Sequence, residues 1–211
     1  MLPTDYTRAR RLLSRRDPVI RGLMQRHGNC GLASAQRTDP FHALVHAIIA
    51  QQLSTKAAAT IEARFSALFG GMPTPLAVAG APDERLRSVG LSPQKLKYMR
   101  DLCTRVLDGS LRLDVLESLA DDEVIAALTS VKGIGRWTAE MFLMFRLHRP
   151  DVLPVGDLGI VKAVQRAYKL RSLPSPERLT RIGETWRPYR SVACWYLWAS
   201  LDAPPLKRGR A

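Results

Sequence analysis

Only three cysteines, Cys30, Cys103 and Cys194, occur in the 211 residues; they stand far apart and form no CxxC pair. This excludes a disulfide framework and a four-thiolate metal site, and each is most simply a small buried hydrophobe. Long apolar runs are also missing. None approaches the ~20 residues that cross a bilayer, and the N-terminus lacks the apolar core of a secretion signal, so a soluble intracellular protein is expected. No run of alternating β-branched residues, repeat period or low-complexity stretch appears, which argues against strand-rich and solenoid architectures. His42 and His46 share an i, i+4 spacing, but Ala43 stands where an HExxH zinc site needs glutamate, and His27 and His148 add no metal-ligand pattern. Acidic residues are scarce beside basic ones: 19 Asp+Glu against 32 Lys+Arg give a formal charge of +13. Such an excess favours a polyanionic partner, and charge alone does not separate DNA from RNA or an acidic membrane surface.

The pattern that is present has the helical period. Phe41, Leu44, Val45, Ile48 and Ile49 recur at i, i+3, i+4, i+7 and i+8, the signature of an amphipathic helix entering a core. Asp17-Pro18 opens a second such pattern that closes at Gly28, and Ser92-Pro93 opens a third that closes at Gly109; both read as capped helices. A further helix is expected from about Ser54 to Gly70, where Ala57, Ala58 and Ala59 would permit close helix approach. Pro73, Pro75 and Pro82 mark loops or short helices, and no proline-rich stretch reads as an inter-domain linker. The fold class is all-α, in a single helical unit spanning 1–211.

One segment carries chemical interest. Asp121, Asp122 and Glu123 open a short helix, Val131-Lys132-Gly133-Ile134-Gly135 follows, and a second helix bearing Trp137 begins at once. Glycines two apart at such a turn supply positive φ and remove side chains, so backbone N–H groups can approach a phosphate, with Lys132 and Arg136 adding charge. An ordinary helical hairpin would use the same glycines only to turn. About twenty residues on, Leu153-Pro154-Val155-Gly156-Asp157 precedes another amphipathic helix, which makes Asp157 an N-cap candidate.

Together, Val131-Lys132-Gly133-Ile134-Gly135-Arg136-Trp137-Thr138-Ala139 and Pro154-Val155-Gly156-Asp157 resemble the helix-hairpin-helix (121–147) and aspartate loop (153–157) of the DNA glycosylase superfamily named after those features. Asp17-Pro18, Ala50-Gln51-Gln52-Leu53-Ser54, Gly90-Leu91-Ser92 with Lys95, and Trp186-Arg187-Pro188-Tyr189-Arg190-Ser191 are similar to its DNA-3-methyladenine glycosylase II branch, over roughly residues 17 to 200. The resemblance implies two small helical lobes with the active-site cleft between them, in the compact form that lacks an N-terminal β-rich domain. It implies a monofunctional enzyme excising alkylated purines, such as 3-methyladenine and 7-methylguanine, from damaged duplex DNA as a monomer. Bifunctional members carry a Schiff-base lysine where this chain has Trp137, whose indole has no basic lone pair. No iron–sulfur cluster and no required cofactor are implied, since Cys194 is the one cysteine near the C-terminus.

By the same resemblance Asp157 is the catalytic carboxylate, stabilising the positive charge that grows on the sugar. Alkylation already makes the purine cationic, so no second catalytic group is required, and aromatic faces attract such a base. Trp137 and Trp198, then Tyr189 and Trp186, are the pocket candidates, although buried core is the ordinary fate of tryptophan. Gln52 occupies the position of the residue that fills the gap left by an extruded base. Lys132, Gly133, Gly135 and Arg136 would hold DNA phosphate, and the carbonyls of Thr129, Val131 and Ile134 a structural Na⁺ or K⁺. The Arg8, Arg10, Arg11, Arg15, Arg16 stretch and Lys207-Arg208-Gly209-Arg210 would track the backbone or simply be solvated. The competing readings are a helix-hairpin-helix glycosylase for deaminated or oxidised bases, and a non-catalytic DNA-binding module in which Asp157 is only a cap.

Overall fold

The computed structural model describes residues 6–34 and 38–202; the basic stretch Lys207–Arg210 lies outside the described residues. Among these there is no strand. The α-helices in chain order are α1 (Tyr6–Arg16), α2 (Pro18–His27), α3 (Pro40–Ala50), α4 (Thr55–Leu68), α5 (Pro75–Gly80), α6 (Asp83–Ser88) and α7 (Pro93–Leu107). They continue as α8 (Asp121–Thr129), α9 (Arg136–Met141), α10 (Leu158–Ala167), α11 (Pro176–Gly183) and α12 (Arg190–Asp202), with a π-helical turn at Phe142–Arg146. The all-α expectation holds. The chain divides into two compact units, one continuous over 36–147 and one built from both ends, 1–35 with 148–211.

In the continuous unit, α3 starts because Pro40 supplies a helical φ and the Asp39 carboxylate accepts from the N–H groups of Phe41 and His42 at 2.9 and 3.2 Å. Its five periodic residues, Phe41, Leu44, Val45, Ile48 and Ile49, are all buried. Each contributes about 1.5–3 kcal/mol of transfer free energy, an upper estimate because the unfolded chain is itself partly collapsed. Ser54 caps α4 and Ser92 caps α7 through N–H bonds from Ala57 and Lys95. Of the alanine run only Ala58 is buried, so it makes one close approach rather than three. The α7 helix packs against α3, α5 and α6. Its Arg100 donates to the carbonyls of Val78, Ala79 and Ala81 and to the Asp83 carboxylate, which satisfies the C-terminal end of α5.

The discontinuous unit is organised on α12, which packs against α1, α2 and α10 and buries Val192, Ala193, Cys194, Tyr196 and Leu197. A polar knot closes it. Asp17 caps α2 with one carboxylate oxygen, accepting from Val19 and Ile20, and with the other accepts from Trp186 Nε1 at 2.9 Å and from the Tyr168 hydroxyl. Burial and the adjacent Asp17 charge push the Tyr168 hydroxyl well above its ordinary pKa, so it remains a donor. All three cysteines are buried, and desolvation raises Cys30 to about 11 and Cys103 to about 12. They are packing residues, as their spacing suggested.

Candidate active site

The continuous unit carries the hairpin. Glu123 accepts from the Ala120 N–H at 2.7 Å and closes the start of α8, and the chain then turns through Ser130–Gly135 into α9. Gly133 has φ +81°, and a Cβ there would run into the Tyr98 ring of α7. Glycine is therefore demanded twice, by the backbone and by the ring beneath it. Gly135 departs from expectation: its φ of −91° is open to any residue and nothing lies within 4 Å of its missing Cβ. Only one glycine supplies the positive φ, and space on the outside of the turn is what the other leaves.

The hairpin amides divide into two sets. The Lys132 N–H donates to Asp101 Oδ2 at 2.9 Å and that of Ile134 to the Val131 carbonyl at 3.1 Å, so neither is available for phosphate. The amides of exposed Gly133 and Gly135 have no acceptor among the described residues. The Lys132 ammonium extends outward, 3.5 Å from Asp101 Oδ1, and Arg136 lies along α9 with its Nε 3.0 Å from the buried Glu140 carboxylate. Burial pushes the Asp101 carboxyl upward, but the Lys132 N–H and the Arg105 guanidinium outweigh that and hold it below the usual carboxylate range. Trp137 follows on α9 with half of its surface exposed (50%).

Gln52 belongs to the same unit, in the turn between α3 and α4. It is exposed and its φ is +59°, which a non-glycine residue adopts only at a cost of order 1–3 kcal/mol. The turn is held from several sides. The Leu53 N–H donates to the Ala50 carbonyl at 3.2 Å, and Gln51 Nε2 donates to the Gly133 carbonyl at 2.8 Å. Lys95 of α7 donates from Nζ to the Ile49 carbonyl at 2.7 Å, with its pKa lowered by desolvation.

Asp157 sits in the other unit as the N-cap of α10, only 8% exposed. Its Oδ1 accepts from the Ile160 N–H at 2.7 Å and from Trp198 Nε1 at 3.0 Å. The cap is thus realised, and the same carboxylate is buried beside an aromatic ring. Pro154 accepts from the Asp157 N–H at 3.0 Å, which tightens the loop. Two neighbours were not singled out from the sequence. Gly159 has no side chain because a Cβ would meet Asp157 Oδ1 at 2.9 Å and Trp198 at 3.2 Å, and Leu158 stands 57% exposed beside the aspartate.

The aromatic candidates separate. Trp198 is brought to Asp157, Tyr189 is half-buried at the start of α12, and Trp137 is exposed on α9. Trp186 is a correction: it is fully buried (0% exposed) with its indole N–H on Asp17, so no face of the ring is open to a base. Its large apolar ring with a single polar atom fits the interior once that atom has a buried carboxylate to meet. Gln51, Tyr98 and Asp101 were also missed, because the contacts that single them out join segments 31 to 82 residues apart.

A glycine-turned hairpin followed by a buried, helix-capping aspartate defines a helix-hairpin-helix protein of the DNA-glycosylase type. A family model described as HhH-GPD superfamily base excision DNA repair protein matches residues 45–188. The chain is 34% identical over 199 residues to DNA-3-methyladenine glycosylase 1 of Schizosaccharomyces pombe, covering 92% of this chain and 87% of that protein. A structure of the 3-methyladenine DNA glycosylase of that yeast in complex with abasic DNA superposes with TM-score 0.80 and 31% identity, over 93% of this chain and 97% of the other. The DNA-3-methyladenine glycosidase of Bacillus halodurans superposes with TM-score 0.82 and 36% identity, over 96% and 92%. The chain belongs to the HhH-GPD superfamily of base excision DNA repair proteins, in the branch of the DNA-3-methyladenine glycosylases.

Proposed function

We propose that this protein removes alkylated purines from duplex DNA by hydrolysing the N-glycosidic bond, with Asp157 as its catalytic carboxylate. The observation that carries the reading is the fixed, buried carboxylate of Asp157, oriented by the Ile160 amide and the Trp198 indole. An alkylated purine carries positive charge before the reaction begins. As the C1′–N bond breaks, its electron pair passes to the ring, which leaves as a neutral base, and the positive charge moves to the sugar. A carboxylate held in a largely dry site meets that charge where electrostatic stabilisation is strongest. Water then adds its oxygen to C1′, and its surplus proton leaves to solvent. The leaving group needs no protonation, so the single carboxylate suffices.

Trp198, with Tyr189, supplies aromatic faces for the cationic base, each contact contributing about 0.5–2 kcal/mol. Gln52 fills the space the base vacates, and its exposure together with a strained left-handed backbone supports that role, since such strain clusters at functional sites. The Gly133 and Gly135 amides with Lys132 and Arg136 take DNA phosphate. Thr129 ends α8, so its carbonyl lies at the negative end of that helix, where those of Val131 and Ile134 would join it around a monovalent cation. The chemistry requires no cofactor. Action on chromosomal DNA places the protein where that DNA is kept.

The test is mass analysis of bases released from methylated duplex DNA. The parental protein releases 3-methyladenine and 7-methylguanine. Asp157→Asn, which keeps a capping oxygen without the charge, loses at least about a hundredfold in single-turnover rate while binding DNA normally. Borohydride traps no covalent complex, because Trp137 offers no amine. Release at the parental rate by Asp157→Asn would overturn the catalytic assignment.

A further inference from the structure

The turn that carries Gln52 and the hairpin that would take phosphate are separate in sequence, yet a side chain joins them: Gln51 Nε2 donates to the Gly133 carbonyl at 2.8 Å. That carbonyl belongs to the one hairpin residue whose backbone has no latitude, held at φ +81° over the Tyr98 ring. Both partners rest on α7. Lys95, Tyr98 and Asp101 recur at i, i+3 and i+6 along one face of that helix. Lys95 holds the Ile49 carbonyl at the end of α3, Tyr98 underlies Gly133, and Asp101 accepts the Lys132 N–H. The gap-filling turn and the phosphate-binding turn are thus footed on the same helix, the first through Lys95 and the second through Tyr98 and Asp101, and are bridged directly by Gln51.

We infer that Gln51 is a positioning residue for base extrusion, registering the Gln52 turn against the hairpin so that the grip on phosphate sets the direction in which Gln52 enters the duplex. The inference rests on the glycosylase reading given above. Gln51 touches neither base nor sugar in this account; it acts through the backbone of its neighbour. The strained φ of Gln52 persists only where its surroundings over-determine it. Without the bridge, the Gln52 turn keeps the Leu53–Ala50 bond and the Lys95 contact but loses its reference to the hairpin. Phosphate affinity is left alone, since the amides of Gly133 and Gly135 and the Lys132 ammonium are not altered. What suffers is the step in which the flipped state must be held.

The experiment compares single-turnover release of 7-methylguanine from a fully paired duplex with release from the same strand where the lesion lies in an unpaired bulge. Gln51→Leu keeps most of the side-chain volume and removes the donor. It is expected to slow release from the duplex about three- to tenfold, the worth of one hydrogen bond, and to leave release from the bulge and affinity for undamaged duplex within about twofold. Gln51→Glu, whose carboxylate repels the Gly133 carbonyl, slows the duplex reaction at least as much. The double variant Gln51→Leu with Gln52→Ala runs no slower than Gln52→Ala alone, because positioning a side chain that is absent has no effect. Melting temperatures close to parental confirm that each variant is folded. Parental duplex rates in Gln51→Leu, equal slowing on duplex and bulge, or multiplicative losses in the double variant would each overturn the inference. A parental protein releasing no alkylpurine from either substrate would instead overturn the glycosylase reading itself, and a normal rate in Gln52→Ala the gap-filling role.

Discussion

Around Asp157 the most restrictive residue is one with no side chain. Gly159 lies two positions on, within the first turn of α10, where an added methyl would sit 2.9 Å from Asp157 Oδ1 and 3.2 Å from the Trp198 ring. Neither neighbour yields freely, since the carboxylate is tied to the Ile160 amide and the indole to the carboxylate. Gly159→Ala should therefore favour α10 as a helix, by roughly 1 kcal/mol of propensity, while displacing Trp198 from Asp157 at a cost of about 1–3 kcal/mol. The expected outcome is a protein of near-parental melting temperature whose single-turnover excision falls about tenfold or more. An unchanged rate would mean that the Trp198–Asp157 contact has no part in the reaction. The cap at Asp157 was legible in the sequence because a proline-glycine loop before an apolar helix marks an N-cap. Gly159 was not, since glycine inside a helix declares no reason of its own until a neighbour's position is known.

At the scale of the element, the hairpin's two glycines now carry different loads. Gly133→Ala forces a left-handed φ onto an alanine and drives its Cβ into the Tyr98 ring, so unfolding stability should drop by about 1–3 kcal/mol. Gly135→Ala meets no atom and no forbidden φ, and should melt as the parental protein does while its methyl crowds the side of the turn proposed to take phosphate. Thermal melts and affinity for undamaged duplex, measured together, separate the two. Asp101 adds a pH signature. Its carboxyl is held below the usual range when folded, so the stability it gives the hairpin is complete above the unfolded pKa of about 3.9 and is lost as pH falls through the folded value. Between pH 5 and 8, roughly, that anchorage should not vary, and Asp101→Asn should flatten the acid limb of a stability profile recorded below it. The helices themselves were readable, α2, α4 and α7 from their starts at Asp17, Ser54 and Ser92 and α3 from its apolar period, although its Asp39 cap was not singled out. What was not readable was which hairpin amides are spent internally. That depends on a carboxylate 31 residues earlier, and no periodicity reports it. The positive φ assigned to Gly135 failed for a similar reason: the residue pattern permits two such turns, and packing over Tyr98 fixes only one.

For the whole molecule, the charge of +13 makes binding to undamaged duplex a salt-dependent property. Each phosphate neutralised contributes about −0.9 to the slope of log K against log salt, so Lys132→Ala should reduce the slope by about one and weaken all sequences alike. A slope unchanged in that variant would remove Lys132 from the phosphate contacts. The sequence foresaw a basic helical protein for DNA, and the family match over residues 45–188 agrees with it. The resemblance implied two lobes, but where the chain divides was hidden, because the polar knot of Asp17, Tyr168 and Trp186 joins residues up to 169 positions apart. Trp186 went astray with it, since a tryptophan beside an active-site motif and one clamped by a distant carboxylate look alike in a linear chain.

That division also has an order in time. Residues 36–147 are contiguous and can close as soon as they leave the ribosome, whereas the other unit waits for α12 to return to α1 and α2. The early unit holds the hairpin, Gln51 and Gln52; the late one holds Asp157 and Trp198. A chain caught between the two stages would carry the parts proposed to grip DNA without the carboxylate proposed to act on the glycosidic bond. Synthesis halted after residue 147 would then yield an occupant of undamaged DNA, a competitor of the finished enzyme.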